Sequence, residues 1–176
     1  AELKSCYEGV RDGGKLTVLD TKDSISDFHS KGLYIVFFSY QWLSWTDKGC
    51  NAVQLERMRQ SLEMYCTLHG HVMDDVYVWL DILSIPQRHP AVQGLAVDSL
   101  YTYATAVDAL IIIAPDSMHE QLETKADLQT YKSRVWCRVE QIAHLSVHDL
   151  TTMFIGGEDG ELQSIAEQWM GDVVRL

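Results

Sequence analysis

Apolar runs and stretches of helical period alternate along most of this chain. Residues 33–40 (LYIVFFSY) form a near-continuous run of β-branched and aromatic side chains, the pattern of a strand buried on both faces in a parallel sheet. Asn51 then stands as a cap, and Leu55, Met58, Leu62 and Tyr65 recur at helical spacing as far as His69, which predicts a helix against that sheet. Residues 76–82 (VYVWLDI) read as a second buried strand that ends in Asp81; Pro86 and Pro90 in the following loop rule out continuation. A helix over 92–106 comes next, with Leu95, Ser99, Leu100, Tyr103 and Val107 roughly on one face. Residues 109–114 are the third and most apolar strand, stopped by Pro115 and Asp116, and 117–130 is a polar loop or short helix. A fourth strand over 151–155 is closed by Gly156 and Gly157, and Leu162, Ile165, Ala166 and Trp169 mark a last amphipathic helix.

Between the third and fourth strands lies the stretch that organises the reading, residues 131–145 (YKSRVWCRVEQIAHL). At about 100° per residue, Val135, Val139, Ile142 and Ser146 fall on one stripe, which would face the core. Trp136 and Glu140 lie one turn apart on its shoulder, where core gives way to solvent. The first 31 residues carry the least pattern: Asp12-Gly13-Gly14 reads as a turn, 15–19 as a possible short strand, and 20–30 as loop with a helical turn. Strand–helix alternation implies right-handed βαβ crossovers and a mainly parallel central sheet of about five strands. The expected division is an extension or edge element over 1–32 and one domain over 33–176.

Composition narrows the classes. A chain of 176 residues can bury about two thirds of its unfolded surface without staples. Its net charge of −11 is not concentrated, and no stretch clusters Lys and Arg with interleaved aromatics, which disfavours nucleic acid as a partner. The longest apolar run is too short to cross a bilayer and no signal-peptide pattern opens the chain, so a soluble, cytoplasmic protein with no membrane partner is expected. The opening Ala1 in place of Met reads as an excised or processed segment. Cys6, Cys50, Cys66 and Cys137 show no tight paired spacing, and free thiols in a reducing compartment are expected.

The candidate chemistry is a carboxylate beside an indole. A charged group with an apolar wall on one side and access on the other can hold a ligand's hydroxyls and have its pKa tuned; the plain alternative is an acid in the early turns of a helix complementing its dipole. Ser39, Tyr40, Gln41 and Trp42 spill from the carboxyl end of the first strand, where ligands sit in open α/β sheets, and Asp81 ends the second. Cys66, His69 and His71 have spacing that suits a metal but lack a fourth ligand, so a surface loop is the reading and no metal is assigned. Arg134 and Arg138 read as surface pairing partners, Cys137 as a small buried residue, and Trp45 and Trp169 as packing. Hydrolase elbows and phosphate-cradling Gly loops are absent from the sequence.

Three motifs in order carry a resemblance to TIR domains. YIVFFSY resembles the first TIR box, VWLDILSIPQ stands where the second strand and its BB loop would be, and YKSRVWCRVE resembles the segment in which Trp-Cys precedes a Glu four residues after the Trp. The middle motif, with the later Tyr103-Ala104, is also similar to the related HET domains. The resemblance covers roughly residues 33–169 and implies a flavodoxin-like three-layer α/β fold. Two positions depart from it: Gln41 replaces the usual basic residue, and residues 85–90 lack the usual BB-loop Gly pattern.

In the NAD-cleaving members that Glu is catalytic, so the resemblance implies that Glu140 is the catalytic residue, with Trp136 as its aromatic partner. It further implies NAD+ as substrate rather than cofactor, self-association with other TIR-like protomers, and a role in immune or cell-death signalling. A carboxylate would stabilise the oxocarbenium-like ribose as neutral nicotinamide departs. Trp136 would stack on the cationic ring, Ser39, Tyr40 and Trp42 would complete the pocket, and Asp81 would touch ribose. The alternatives are a non-catalytic TIR-type interaction module and, less favoured, a nucleoside ribosyltransferase.

Overall fold

Chain order and strand pairing together decide where the helices lie. The structure is a computed structural model, and it describes residues 7–174. Helices α1 (Tyr7–Asp12) and α2 (Lys22–Ser30) lead into β1 (Tyr34–Tyr40), followed by α3 (Ala52–His69), β2 (Val76–Trp79), α4 (Asp81–Ser84), α5 (Pro90–Asp98), α6 (Leu100–Thr105) and β3 (Ala109–Ile113). Then come a hairpin, β4 (Ser117–His119) and β5 (Thr124–Ala126), the helices α7 (Leu128–Ser133) and α8 (Val135–Leu145), and β6 (Met153–Gly156), β7 (Leu162–Ser164) and α9 (Glu167–Val174). The five-stranded sheet runs β2-β1-β3-β6-β7, with β2, β1, β3 and β6 parallel and β7 an antiparallel edge.

Right-handed crossovers then place the layers. The step from β1 to β2 goes one way across the sheet, while the steps from β2 to β3 and from β3 to β6 go the other, so α3 covers one face and α6 and α8 the opposite one. The two cores agree. Val36, Phe38, Ile111 and Ile113 pack with Met58 and Tyr65 of α3. Phe37, Leu110 and Ile112 pack with Leu100, Ala104, Tyr131, Cys137 and Trp169 on the other side. This is a mixed α/β, flavodoxin-like three-layer arrangement around a mainly parallel sheet. Phe28 of α2 joins the second core, and buried Glu8 of α1 accepts from the backbone N–H groups of Gln87 and Arg88 at 2.9 and 2.7 Å. Helices α1 and α2 are therefore packed onto the sheet domain. No helix among the described residues is long and apolar enough to cross a membrane.

Several boundaries differ from the sequence expectation, each for a local reason. Residues 15–19 take no regular structure, whereas 22–30 form a full helix because Thr21 and Ser24 close a capping box. The second strand stops at Trp79 and Asp81 opens α4. The expected helix over 92–106 is two helices meeting at Ser99, and Leu95 is exposed while Ala96, Leu100 and Ala104 are buried. The 117–130 segment holds the β4–β5 hairpin, residues 162–164 pair with β6 instead of joining the last helix, and the 131–145 helix is broken where Arg134 turns extended (φ −79, ψ 126).

The largest correction concerns the face of α8. Val135 and Ile142 are 69% and 46% exposed and Ser146 is exposed, while Cys137, Gln141, Ala143 and His144 are buried. The core-facing stripe is thus not the most apolar one. Two polar residues go inward because both ends of each are satisfied. Gln141 donates through Nε2 to the Cys137 carbonyl at 2.9 Å and accepts from Trp169 Nε1 at 2.7 Å. His144 meets the Ala104 carbonyl through Nδ1 at 3.0 Å and Thr152 Oγ1 through Nε2 at 2.8 Å, and burial pushes its pKa down to about 4.

At the end of β6 the backbone leaves no room for a side chain. A Cβ at Gly156 would stand 2.4 Å from Ser61 Oγ and 2.7 Å from Ile113 Cδ1, and Ser61 is completely buried. Gly156→Ala is expected to cost about 1–3 kcal/mol of unfolding free energy by overpacking, read as a lower urea midpoint at unchanged slope; an unchanged midpoint would contradict this packing.

Candidate functional site at the carboxyl end of the first strand

Successive residues of a strand point to opposite faces, and the end of β1 divides accordingly. Ser39 follows Ile35 and Phe37 toward the α8 side, and Tyr40 follows Val36 and Phe38 toward the α3 side. Their neighbours across the ladder are Ile112 and Ile113 of β3. The crossovers diverge between β1 and β3, which makes this strand end the topological switch point of the sheet.

On one side, α8 delivers Glu140. Ser39 Oγ donates to the Glu140 carboxyl and also meets the Tyr131 hydroxyl at 2.6 Å. Ser39 and Tyr131 are completely buried or nearly so, while Glu140 is half-buried. Burial pushes the Glu140 pKa up to about 8; the Ser39 bond opposes that rise and the charge of Asp81 adds to it. On the other side, α4 delivers Asp81. Its Oδ1 accepts from the Tyr40 hydroxyl at 2.6 Å and from the Ile82 N–H at 2.6 Å, and its Oδ2 accepts from Trp42 Nε1 at 2.8 Å. Burial raises the Asp81 pKa, and those three donors resist the rise. Two carboxyl groups thus flank the same strand end, close enough to sense each other.

The surrounding loops are braced. Gln41 donates to the Asp127 carbonyl at 3.0 Å and to Thr130 Oγ1 at 3.1 Å, and its own carbonyl accepts from buried Gln54 at 2.9 Å. Gln121 ties the 43–47 loop to the hairpin: it accepts from the Trp45 N–H at 3.0 Å and donates to Ser44 Oγ at 3.1 Å. Trp45 also packs edge-on against His119. A cavity lined by Leu43, Ser44, Asp47, Cys50, Met118 and Glu120 lies under this brace, and a wider groove lies between Val53, Glu56, Arg57 and Asp159. Neither is lined by Glu140.

Among the residues expected to act, Ser39 and Glu140 meet directly, and Tyr40, Trp42 and Asp81 form one hydrogen-bonded set. Trp136 sits a turn before Glu140 with 56% of its surface exposed and finds no hydrogen-bond or ring partner among the described residues. Its indole is presented to solvent. In the sequence Tyr131 reads only as the start of a helix; its hydroxyl on Ser39 emerges only in three dimensions, because the two residues are far apart in the chain. Burial pushes the Cys137 thiol well up, the state of an inert thiol, and Cys50 and Cys66 are likewise free and raised. Cys6 lies outside the described residues. His69 and His71 stack at 5.8 Å, and no group of three or more potential ligands among the described residues is arranged to hold a metal. Arg138 donates to the Val173 carbonyl at 2.7 Å, tying α8 to α9. Comparison of the chain with protein-family models, with curated proteins and with solved structures gives no match.

The raised Glu140 pKa has a stability consequence of definite sign. Between its ordinary value of 4.5 and about 8, the unfolded chain has released this proton and the folded chain retains it. Stability from this group is therefore lost progressively as pH rises through that window, and the loss is complete above about 8. The melting temperature of Glu140→Gln minus that of the parent is expected to grow from pH 5 to pH 8 and then level off; a difference that is flat with pH would refute the assignment.

Proposed function

We propose that this chain is an NAD+ glycohydrolase that cleaves the nicotinamide–ribose bond, with Glu140 as the catalytic carboxylate and Ser39, Tyr40, Trp42, Asp81 and Trp136 shaping the substrate site. The observation that carries the reading is the Glu140 carboxyl at the switch point of the sheet, held by Ser39 and pushed up by burial and by Asp81. An approaching cationic pyridinium favours the ionised carboxylate. That anion then offsets the positive charge gathering on the anomeric carbon, an interaction stronger in the transition state than in the ground state. No general acid is required, because nicotinamide leaves neutral. Exposed Trp136 offers a face to a flat cationic ring. Water as acceptor gives ADP-ribose, and an internal hydroxyl gives a cyclic variant.

Self-association belongs to this reading. The outward stripe of Val135, Trp136 and Ile142 is an apolar surface of the kind that second copies cover, and assembly would bring another protomer's residues beside Trp136. On the TIR resemblance, activity in immune or cell-death signalling follows from that assembly.

A second reading, a non-catalytic interaction module, draws on two specific observations: the Glu140 carboxyl is engaged inward by Ser39, and neither cavity described above is lined by it. One experiment separates the two. Purified protein over a concentration series is incubated with NAD+ and nicotinamide release is followed beside Glu140→Ala. The glycohydrolase predicts turnover that climbs faster than linearly with protein concentration and falls about a hundredfold or more in the variant. Equal rates in parent and variant would leave the interaction module.

A further inference from the structure

The central sheet ends differently at its two edges. At one, β7 is three residues long (LQS), follows Glu161 and pairs antiparallel with β6; a short polar edge of this kind resists further pairing. At the other, β2 has none of those devices. Its residues, VYVW, include no charge and no proline, and Tyr77 and Val78 are exposed in mid-strand, one on each face. Beyond the ladder to β1 and the Val76 N–H that closes on the Met73 carbonyl, β2 meets no backbone partner among the described residues. Its outer side therefore presents unpaired N–H and C=O groups. Exposed Val72 and Met73 lie just before the strand and extend the apolar strip.

We propose that the outer edge of β2 docks the β2 of a second copy of this chain, the two strands running antiparallel about a two-fold axis and joining two five-stranded sheets into one. Two properties of the edge select this occupant. An extended peptide loses its chain entropy on pairing, and so short a ladder returns few hydrogen bonds against that loss. The β2 of another copy is already held extended by β1. Charge then sets the sense of pairing. Asp74 and Asp75 stand together at the amino end of β2. Parallel pairing in register would bring the acids of both copies within about 5 Å of each other. Antiparallel pairing centred on Tyr77 and Val78 sets the two Asp75 residues about 16 Å apart, beyond the screening length at ordinary ionic strength. The antiparallel arrangement also closes as a dimer, because a two-fold axis uses the same edge on both copies. It uses none of the Val135, Trp136 and Ile142 stripe of α8, and it needs no NAD+ chemistry.

The net charge of −11 on each copy opposes dimerisation, so salt strengthens it; a basic partner peptide would respond in the opposite sense. Sedimentation velocity over a concentration series reads the dimer directly. The parent is expected to pass from monomer to dimer as concentration rises, and to do so at lower concentration in high salt. Val78→Lys places an ammonium group on each side of the axis and is expected to weaken dimerisation about tenfold or more. Because Val78 is exposed, the melting temperature is expected to stay near that of the parent. Ile142→Lys, which spoils the α8 stripe, is expected to leave this dimer in place. The unaltered protein supplies a second measurement: amide hydrogen exchange over 77–79 is expected to slow as protein concentration rises. A parent that stays monomeric at every concentration overturns the proposal. So does a dimer that survives Val78→Lys, that is lost only with Ile142→Lys, or whose 77–79 amides exchange at a rate independent of concentration. NAD+ turnover, present or absent, bears on the glycohydrolase reading and leaves the β2 result standing.

Discussion

The bond from Ser39 to Glu140 is the constraint on which the arrangement of this molecule turns. It joins the carboxyl end of β1 to α8 across the boundary between sheet and helical layer, and it requires α8 to present a polar face inward. Had α8 turned its Val135–Ile142 stripe to the sheet, the carboxyl would sit in solvent and Gln141 and His144 would lose their partners. The buried Trp169 N–H and Ala104 carbonyl that they satisfy would be left unpaired at about 1–3 kcal/mol each, a cost comparable with the about 1.5–3 kcal/mol that burial of each aliphatic side chain returns. Hydrogen bonding thus counts as much as apolar area in setting the rotation of this helix. The exposed stripe is the residue of that choice.

The same strand end puts two carboxyl groups in unlike surroundings. Asp81 has three donors, one of them a backbone N–H at the start of α4, and so is the better host for a negative charge. Glu140 has Ser39 alone at its carboxyl and is pushed up to about 8. When environments separate two neighbouring acids in this way, the pair holds its charge on the solvated-like member and its proton on the other. An incoming cation changes the balance at Glu140 first, because that is the group that still holds a proton near neutrality. On the proposed reading, substrate charge itself prepares the carboxylate that the reaction needs.

Much of the architecture was legible in the sequence because it is written in local patterns. The runs at 34–40 and 109–113 are buried on both faces and so need no periodicity to betray them, and Asn51 marks the start of α3 as its cap, where the structure adds Gln54 to close a capping box. The elements that escaped are those whose cause is not local. The three-residue strands β4, β5 and β7 exist through pairing alone. The face of α8 was misread because an amphipathic wheel counts apolar side chains and is blind to Ala104, Thr152 and Trp169 waiting elsewhere in the chain to receive polar ones. The site shows the same division. Ser39, Tyr40 and Asp81 are singled out as candidates by their place at strand ends, and Glu140 by the motif around it. Tyr131 and Gln141 could not be, since their roles depend on bonds that close only when α7, α8 and α9 dock.

That dependence gives the last helix a meaning beyond closing the core. Trp169 buries its ring among Tyr131, Ala143 and Val173, takes Lys132 against its face at 3.9 Å, and contributes a single N–H to the interior. The ring's burial would be served as well by phenylalanine of similar size, so packing does not account for the indole nitrogen. Its one polar atom fixes the sense of the Gln141 amide, whose N–H goes to the Cys137 carbonyl. Since the indole nitrogen can only donate, reversal of this amide would set donor against donor in the core. The last helix is therefore tied to α8 by a buried hydrogen bond as well as by apolar area, at the residue next to Glu140.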